Sequence, residues 1–174
     1  VDFDTHEVAV FTVDDDHQLH LKQRFSVAEM ISPNDVLAIE RNVFLFTNDH
    51  GSPSRSFMAT LENYLGLPRS SVVLFDGKEG HFVINKLRMA NGLAISKDRQ
   101  TLYVAETTGR RLSRFQRGKS LGEWQHRDSL FIDSGVDNLE WDQEGRLLTG
   151  AHPKLFDFVA HGKSSDNLSP SEVV

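Results

Sequence analysis

An all-β fold is predicted by three observations: nearly every apolar run alternates with period two, only one stretch has helical spacing, and one segment pattern returns three times. Alternation puts successive side chains on opposite faces of an extended chain, the signature of strands with one face buried. In chain order the runs are EVAVFTV (7–13), LHLKQRF (19–25), VLAI (36–39), VFLFT (43–47) and SVVLF (71–75). HFVINKL (81–87), LAI (93–95), TLYVA (101–105), LFI (130–132) and KLFDFV (154–159) follow. The exception is SRSFMATLENYLGL at 54–67, where Phe57, Leu61, Tyr64 and Leu65 mark one amphipathic helix with Ser54 or Ser56 as its N-cap.

The recurring segment is NDVLAIERNVFLFTNDH from Asn34, NGLAISKDRQTLYVAET from Asn91 and DNLEWDQEGRLLTGAH from Asp137. Each copy runs from an Asn through a short strand, a polar turn and a second strand. The turns are Glu40-Arg41-Asn42, Lys97-Asp98-Arg99 and Gln143-Glu144-Gly145. Asn34 to Asn91 is 57 positions and Asn91 to Asn138 is 47, the length of a four-stranded propeller blade. Such repeats bury both sheet faces only by stacking around an axis. The chain holds about three blades' worth of strands, so residues 1–174 are expected to form one incomplete β-propeller domain, an internal piece with blades missing at both ends. A jelly roll or sandwich would account for the strands but not for the in-phase asparagines.

Composition narrows the function classes. The 174 residues are 39% apolar, enough for one sizeable core. A net charge of −6 disfavours a nucleic-acid partner. The absence of Cys rules out disulfides and thiolate metal sites and leaves the compartment open. No run approaches the roughly 18 apolar residues of a membrane span.

In a propeller the first strand of each blade lines the central channel, so residues at one repeat phase converge. Asn34, Asn91 and Asn138, with the carboxylate of Asp137, then form an all-oxygen cluster of the kind that Ca²⁺ prefers. Four protein oxygens fall short of the roughly six to eight that Ca²⁺ takes, leaving water, substrate and a further residue to complete the shell.

The segments SPNDVLAI and FTNDH (46–50), NYLGLPRSSVVLF (63–75) and VDNLEWDQEGRLLTGAHP (136–153) resemble, in order and spacing, the serum paraoxonase/arylesterase family. The likeness runs from Val8 to about Val173. It implies a six-bladed propeller, related to SMP-30/gluconolactonase-like lactonases, with two calcium ions in the tunnel. Asn34, Asn91, Asp137 and Asn138 match positions that hold the catalytic calcium, with a Glu from an earlier blade, and Asp35 matches one that holds the structural calcium. The helix matches one near the tunnel mouth, and Asp49, His50 and His152 match residues at or near the pocket. The implied activity is calcium-dependent hydrolysis of aryl esters and lactones, small molecules being the partners; secretion and association with a lipid or membrane surface are implied by resemblance only.

The sequence departs from the family at three points. The family's pair of base-forming histidines lies upstream of Val1, so the isolated chain is expected to bind calcium weakly and to lack hydrolysis. Leu148 stands where a Trp is common, and Ala151 where a Cys precedes His-Pro. In the implied mechanism Ca²⁺ polarises the carbonyl and water attacks with help from a general base; His50 and His152 are the local candidates and are read as pocket-lining.

Competing motifs are weaker. Gly118-Lys119-Ser120-Leu121-Gly122 fits the G-x-S-x-G elbow of a serine esterase, but strand-like sequence on both sides makes Ser120 a hairpin-turn residue. Asp14-Asp15-Asp16-His17 lacks EF-hand spacing and reads as a solvated turn. Arg110, Arg111, Arg114, Arg117 and Lys119 read as a solvated strand face, and Asn167-Leu168-Ser169 is a glycosylation triplet. A propeller with structural calcium acting only as a binding module is the non-enzymatic alternative.

Overall fold

The computed structural model describes residues 1–2, 5–161, 164 and 166–174. Among these, four antiparallel sheets follow one another in chain order. Strands β1 (Val8–Val13) and β2 (Leu19–Phe25) form a two-stranded ribbon. The first full sheet holds β3 (Pro33–Glu40), β4 (Val43–Asn48), β5 (Ser70–Phe75) and β6 (Gly80–Leu87). The second holds β7 (Ala90–Ile95), β8 (Thr101–Glu106), β9 (Arg111–Arg117) and β10 (Trp124–Phe131). The last holds β11 (Gly135–Trp141), β12 (Leu147–His152) and the short β13 (Glu172–Val173). Helices α1 (Phe57–Leu65) and α2 (Leu155–His161) follow β4 and β12 at equivalent places in the repeat. The order of strands within each full sheet is the order in sequence, the up-and-down meander of a propeller blade.

Three apolar cores lie between the four successive sheets, and the middle strands feed two at once. On β4, Leu45 packs toward the second full sheet while Phe44 and Phe46 pack toward the ribbon with Phe25. On β5, Val72 and Leu74 face one core and Val73 and Phe75 the other. Further along, Leu102 and Val104 of β8 join the first of these cores while Ala105 packs with Val136 and Leu139 in the third. The expectation of one buried face therefore holds for outer strands but not for these: β5 is buried along its whole length because a blade is covered on both sides. Each fully buried Val, Leu or Phe contributes about 1.5–3 kcal/mol, so the stacking of sheets, not the individual hairpins, holds the arrangement together.

The repeat is also written in the backbone. The third residue of each polar turn, Asn42, Arg99 and Gly145, has positive φ (60°, 57° and 79°). Gly145 takes this conformation without strain, and Asn tolerates it better than Arg.

Helix α1 starts at Ser56, whose Oγ accepts the Ala59 N–H at 3.0 Å, and stops at Gly66 in the left-handed conformation. Its buried side is polar: Glu62 accepts from the Gly51 N–H and the Ser52 hydroxyl, both at 2.8 Å. Phe57, Tyr64 and Leu65 face outward, Phe57 being 78% exposed. The helix is amphipathic as expected, but it is docked by its carboxylate and not by its apolar stripe.

Of residues 154–159, expected as a strand, 155–159 lie in helix α2. Leu155, Phe158 and Val159 share a helical face. Leu155 sits on Gly135, where any Cβ would come within 2.2 Å of its Cδ2, and Phe158 stacks on His152 with ring centroids 3.8 Å apart.

The competing motifs resolve in the same frame. Ser120 lies in the β9–β10 turn, closed by the Gly118 N–H on the Glu123 carbonyl at 2.7 Å, with no helix after it. Asp14–His17 is the β1–β2 turn, where the Asp14 carboxylate accepts the N–H groups of Asp16 and Gln18. The basic run is less solvated than expected: Arg110 pairs with Asp133, Arg111 with Glu106 and Arg114 with Asp128.

Candidate functional site

The strands β3, β7 and β11 are the innermost of their sheets, and each loses its pairing register near its start, β3 slipping a second time between Ala38 and Glu40. The irregularity falls between Pro33 and Val36 on β3, between Ala90 and Leu93 on β7, and between Val136 and Leu139 on β11. The residues enclosed are Asn34-Asp35, Asn91-Gly92 and Asp137-Asn138. A bulge frees two residues from the ladder and re-aims their side chains, so every metal-ligand candidate occupies a bulge at the same repeat phase.

These bulges touch. The Asp35 carboxylate crosses from β3 to accept the Leu93 N–H of β7 at 2.7 Å, while its other oxygen accepts the Val36 N–H at 2.7 Å. From β7, Gly92 lies against β11 so closely that a Cβ would stand 2.5 Å from the Asp137 carbonyl oxygen and 2.6 Å from the Leu139 nitrogen. Thr107, just after β8, donates its hydroxyl to the Val136 carbonyl at 2.7 Å and receives the Asn91 amide at 3.5 Å.

The electrostatics at this junction favour a cation. Asn91 is buried, and its Oδ1 has no hydrogen-bond partner. A buried carbonyl left unsatisfied costs about 1–3 kcal/mol. Burial raises the Asp35 carboxyl above its ordinary value against the opposing N–H groups of Leu93 and Val36, and the nearby Asp137 charge raises it further. Among the described residues neither Asp35 nor Asp137 has a Lys or Arg within ion-pair distance; Asp137 has only His152, whose Nε2 lies 3.0 Å from Oδ2. No cluster of three or more His, Cys, Asp or Glu suited to a metal occurs among the described residues. The donors here are instead amide and carboxylate oxygens, a set that suits Ca²⁺ and not zinc. Asn34 is half-buried and its amide donates to Asp49 Oδ2 at 3.3 Å, whereas Asn138 is exposed.

Asp49 and His50, at the end of β4, form a second polar group. Asp49 Oδ1 lies 2.6 Å from His50 Nδ1 and accepts the Ser32 hydroxyl, which also lies 2.7 Å from the hydroxyl of Ser54. His50 Nε2 meets the side-chain amide oxygen of Asn63, on α1, at 2.8 Å. Burial by itself pushes the His50 imidazole down, but Asp49, Asn63 and the charge of Glu62 outweigh it and raise its pKa above the ordinary value. Both ring nitrogens are engaged, one by Asp49 and one by Asn63, and acceptors at both favour the protonated ring.

A cavity of about 570 Å³ opens between α1 and α2. Three of its walls connect with the candidates: Asn63 bonds to His50, Thr107 to Asn91, and Phe158 stacks on His152. Its volume is that of a small-molecule site. Sequence reasoning did not single out Ser32, Asn63, Thr107 or Phe158. Three follow from neighbours it did find: Asn63 lies in the helix placed near the site, Thr107 closes the second repeat copy, and Phe158 lies six residues past His152. Ser32 carried no such signal.

A profile of the family described as "Arylesterase" matches residues 3–174. The chain belongs to the arylesterase family. Serum paraoxonase/arylesterase 2 of Gallus gallus is 35% identical over 98% of this chain and 47% of its own length. Serum paraoxonase/arylesterase 1 of Homo sapiens is 31% identical over the same shares. The chain thus spans about half the length of the curated relatives it matches. Among solved structures, a luciferin-regenerating enzyme superposes with a TM-score of 0.61 at 20% identity, covering 84% of this chain and 49% of its own. A gluconolactonase from Xanthomonas campestris superposes at 0.55 with 25% identity, covering 83% and 49%. The four stacked sheets are a partial propeller of this kind.

Proposed function

We propose that this protein, as an arylesterase-family propeller, hydrolyses carboxylic esters and lactones with calcium held where β3, β7 and β11 meet. The observation that carries the reading is the orphaned Oδ1 of buried Asn91 at a junction with two acidic side chains that no Lys or Arg among the described residues pairs with. Family membership and the gluconolactonase likeness support the reaction class.

Asn34, Asn91, Asp137 and Asn138 would hold the catalytic ion, and Asp35 a structural one. The bound ion would supply Lewis-acid polarisation of the substrate carbonyl and charge for the developing oxyanion. The rest is the work of side chains. His152 fixes one oxygen of Asp137 and is itself clamped by Phe158, so Asp137 is presented in one orientation. Asp49 orients the Asn34 amide and anchors His50. His50 has both ring nitrogens engaged by Asp49 and Asn63 and so serves as a positioned polar group and not as the base. Tyr64, Leu65 and Phe156 give the cavity an apolar side against which the body of an ester would lie.

Hydrolysis of phenyl acetate and of a simple lactone by the full-length protein, with calcium, with EDTA and with a serine-reactive phosphonate, tests this reading. Activity that EDTA abolishes, calcium restores and the phosphonate leaves intact is expected. EDTA-resistant, phosphonate-sensitive activity contradicts it, and calcium binding without hydrolysis would leave a binding module.

A further inference from the structure

The cavity between α1 and α2 has a charge pattern that ester hydrolysis does not require. The protein carries a net charge of −6, yet the cavity is lined by Arg88, Arg110 and Lys154 against one carboxylate, Asp157. Two of the three cations are committed: Arg110 to Asp133 at 2.7 Å and Lys154, loosely, to Asp157 at 3.8 Å. Arg88 is different. Its guanidinium donates to the Gly66 carbonyl, and no carboxylate of the described residues lies within ion-pair distance of it. The other half of the lining is apolar, with Leu65, Met89, Leu155 and Phe156 among it. The Tyr64 and Phe156 rings stack across its mouth at 5.9 Å.

From this juxtaposition we infer that the cavity takes amphipathic carboxylates, the apolar body lying between α1 and α2 and the anionic end on Arg88, with Lys154 as a secondary contact. Arg88 is exposed and so open to a ligand, and a guanidinium with free donors offers a carboxylate two parallel hydrogen bonds in a fixed fork. Arg88 is placed for this by its neighbours in sequence: its backbone N–H is held by buried Glu106 at 2.8 Å, and Met89, next in the chain, lines the cavity. Because Thr107 belongs both to the cavity wall and to the Asn91 junction, a ligand seated there places its far end toward the candidate site. The substrate class that follows is an ester or lactone bearing a free carboxylate on an apolar chain. That substrate claim rests on the hydrolase reading; the carboxylate pocket does not.

The test is equilibrium binding of octanoate and of uncharged 1-octanol, by calorimetry, to the unaltered protein and to Arg88→Met, Arg88→Lys and Lys154→Met. Octanoate is expected to bind at least about tenfold more tightly than octanol, the effect of one charge-assisted pair. Arg88→Met should bring the two affinities together, Arg88→Lys should keep only part of the difference because an ammonium cannot make the paired bonds, and Lys154→Met should reduce it partly. Equal affinities in the unaltered protein, no octanoate binding, or a preference unchanged in Arg88→Met all overturn the inference. Should Arg88→Met fail to fold, a preference unchanged in Lys154→Met and in 1 M salt overturns it instead. Phenyl acetate hydrolysis by the full-length protein separates the two claims: selective octanoate binding without hydrolysis by the full-length protein removes the substrate class and the hydrolase reading but leaves the pocket.

Discussion

The carboxylate of Asp35 on β3 accepts the backbone N–H of Leu93 on β7, 58 residues away, at 2.7 Å. One side chain thus fastens two sheets at the point where the candidate ligands gather. Its second oxygen closes the β3 bulge on Val36. Asp35→Ala removes both bonds to a charged acceptor, each worth about 1.5–3 kcal/mol, partly offset by the relief of burying a charge. Urea unfolding is expected to show a loss of about 1–3 kcal/mol. A change within the error of the titration would mean that the sheets hold without this bridge.

Gly92 is where β7 and β11 come closest. Gly92→Ala would drive a methyl group to 2.5 Å from the Asp137 carbonyl oxygen, and the atoms it meets are backbone, which does not swing aside. Overpacking of this kind costs about 1–3 kcal/mol or more. The expected result is a lower unfolding midpoint together with weaker calcium binding, because Asp137 and Asn138 move with the backbone. Wild-type calcium affinity in a destabilised Gly92→Ala would separate the close approach from the metal.

His50 gives a pH dependence of known sign. Its pKa is raised in the fold above the unfolded value of about 6.5. The stability it contributes is therefore fully present below that pH and lost as pH rises through the folded pKa. The gap in thermal midpoint between the unaltered protein and His50→Gln should be larger at pH 5.5 than at pH 9. A gap that grows toward alkaline pH would mean that the ring is neutral and serves as an acceptor.

Calcium should relieve the unpartnered Asn91 oxygen. In differential scanning fluorimetry, calcium is expected to raise the midpoint of the unaltered protein over its EDTA-treated form, as any ligand of the native state does. In Asn91→Ala most of that rise should vanish. An equal rise in both would place the ion elsewhere.

Much of this was legible in the sequence, and the exceptions have physical causes. The asparagine phase survived because a repeat fixes the turn as well as the strand: Asn42, Arg99 and Gly145 all take positive φ, although they share no chemistry. The helix at 54–67 was readable from Ser56 and Gly66, two caps that act locally. What it buries was not, because Glu62 is drawn inward by Gly51 and Ser52, a tertiary pairing without a periodic signal. Helix α2 was hidden since Leu155, Phe156, Phe158 and Val159 satisfy both periods over so short a span; Gly135, twenty residues earlier, decides it by leaving room for Leu155. The bulges were invisible for a similar reason: they follow from how β3, β7 and β11 pair with their partners, which no single strand records.

The central claim is that one cation sits among the bulges of β3, β7 and β11. A crystal structure of the protein grown with calcium, with the anomalous difference map calculated from data collected above the calcium edge, measures it most directly. The predicted result is a peak with the side-chain oxygens of Asn34, Asn91, Asp137 and Asn138 at about 2.3–2.6 Å. A map with no peak there at saturating calcium, or with those four oxygens too far apart for a single ion to reach, would contradict it.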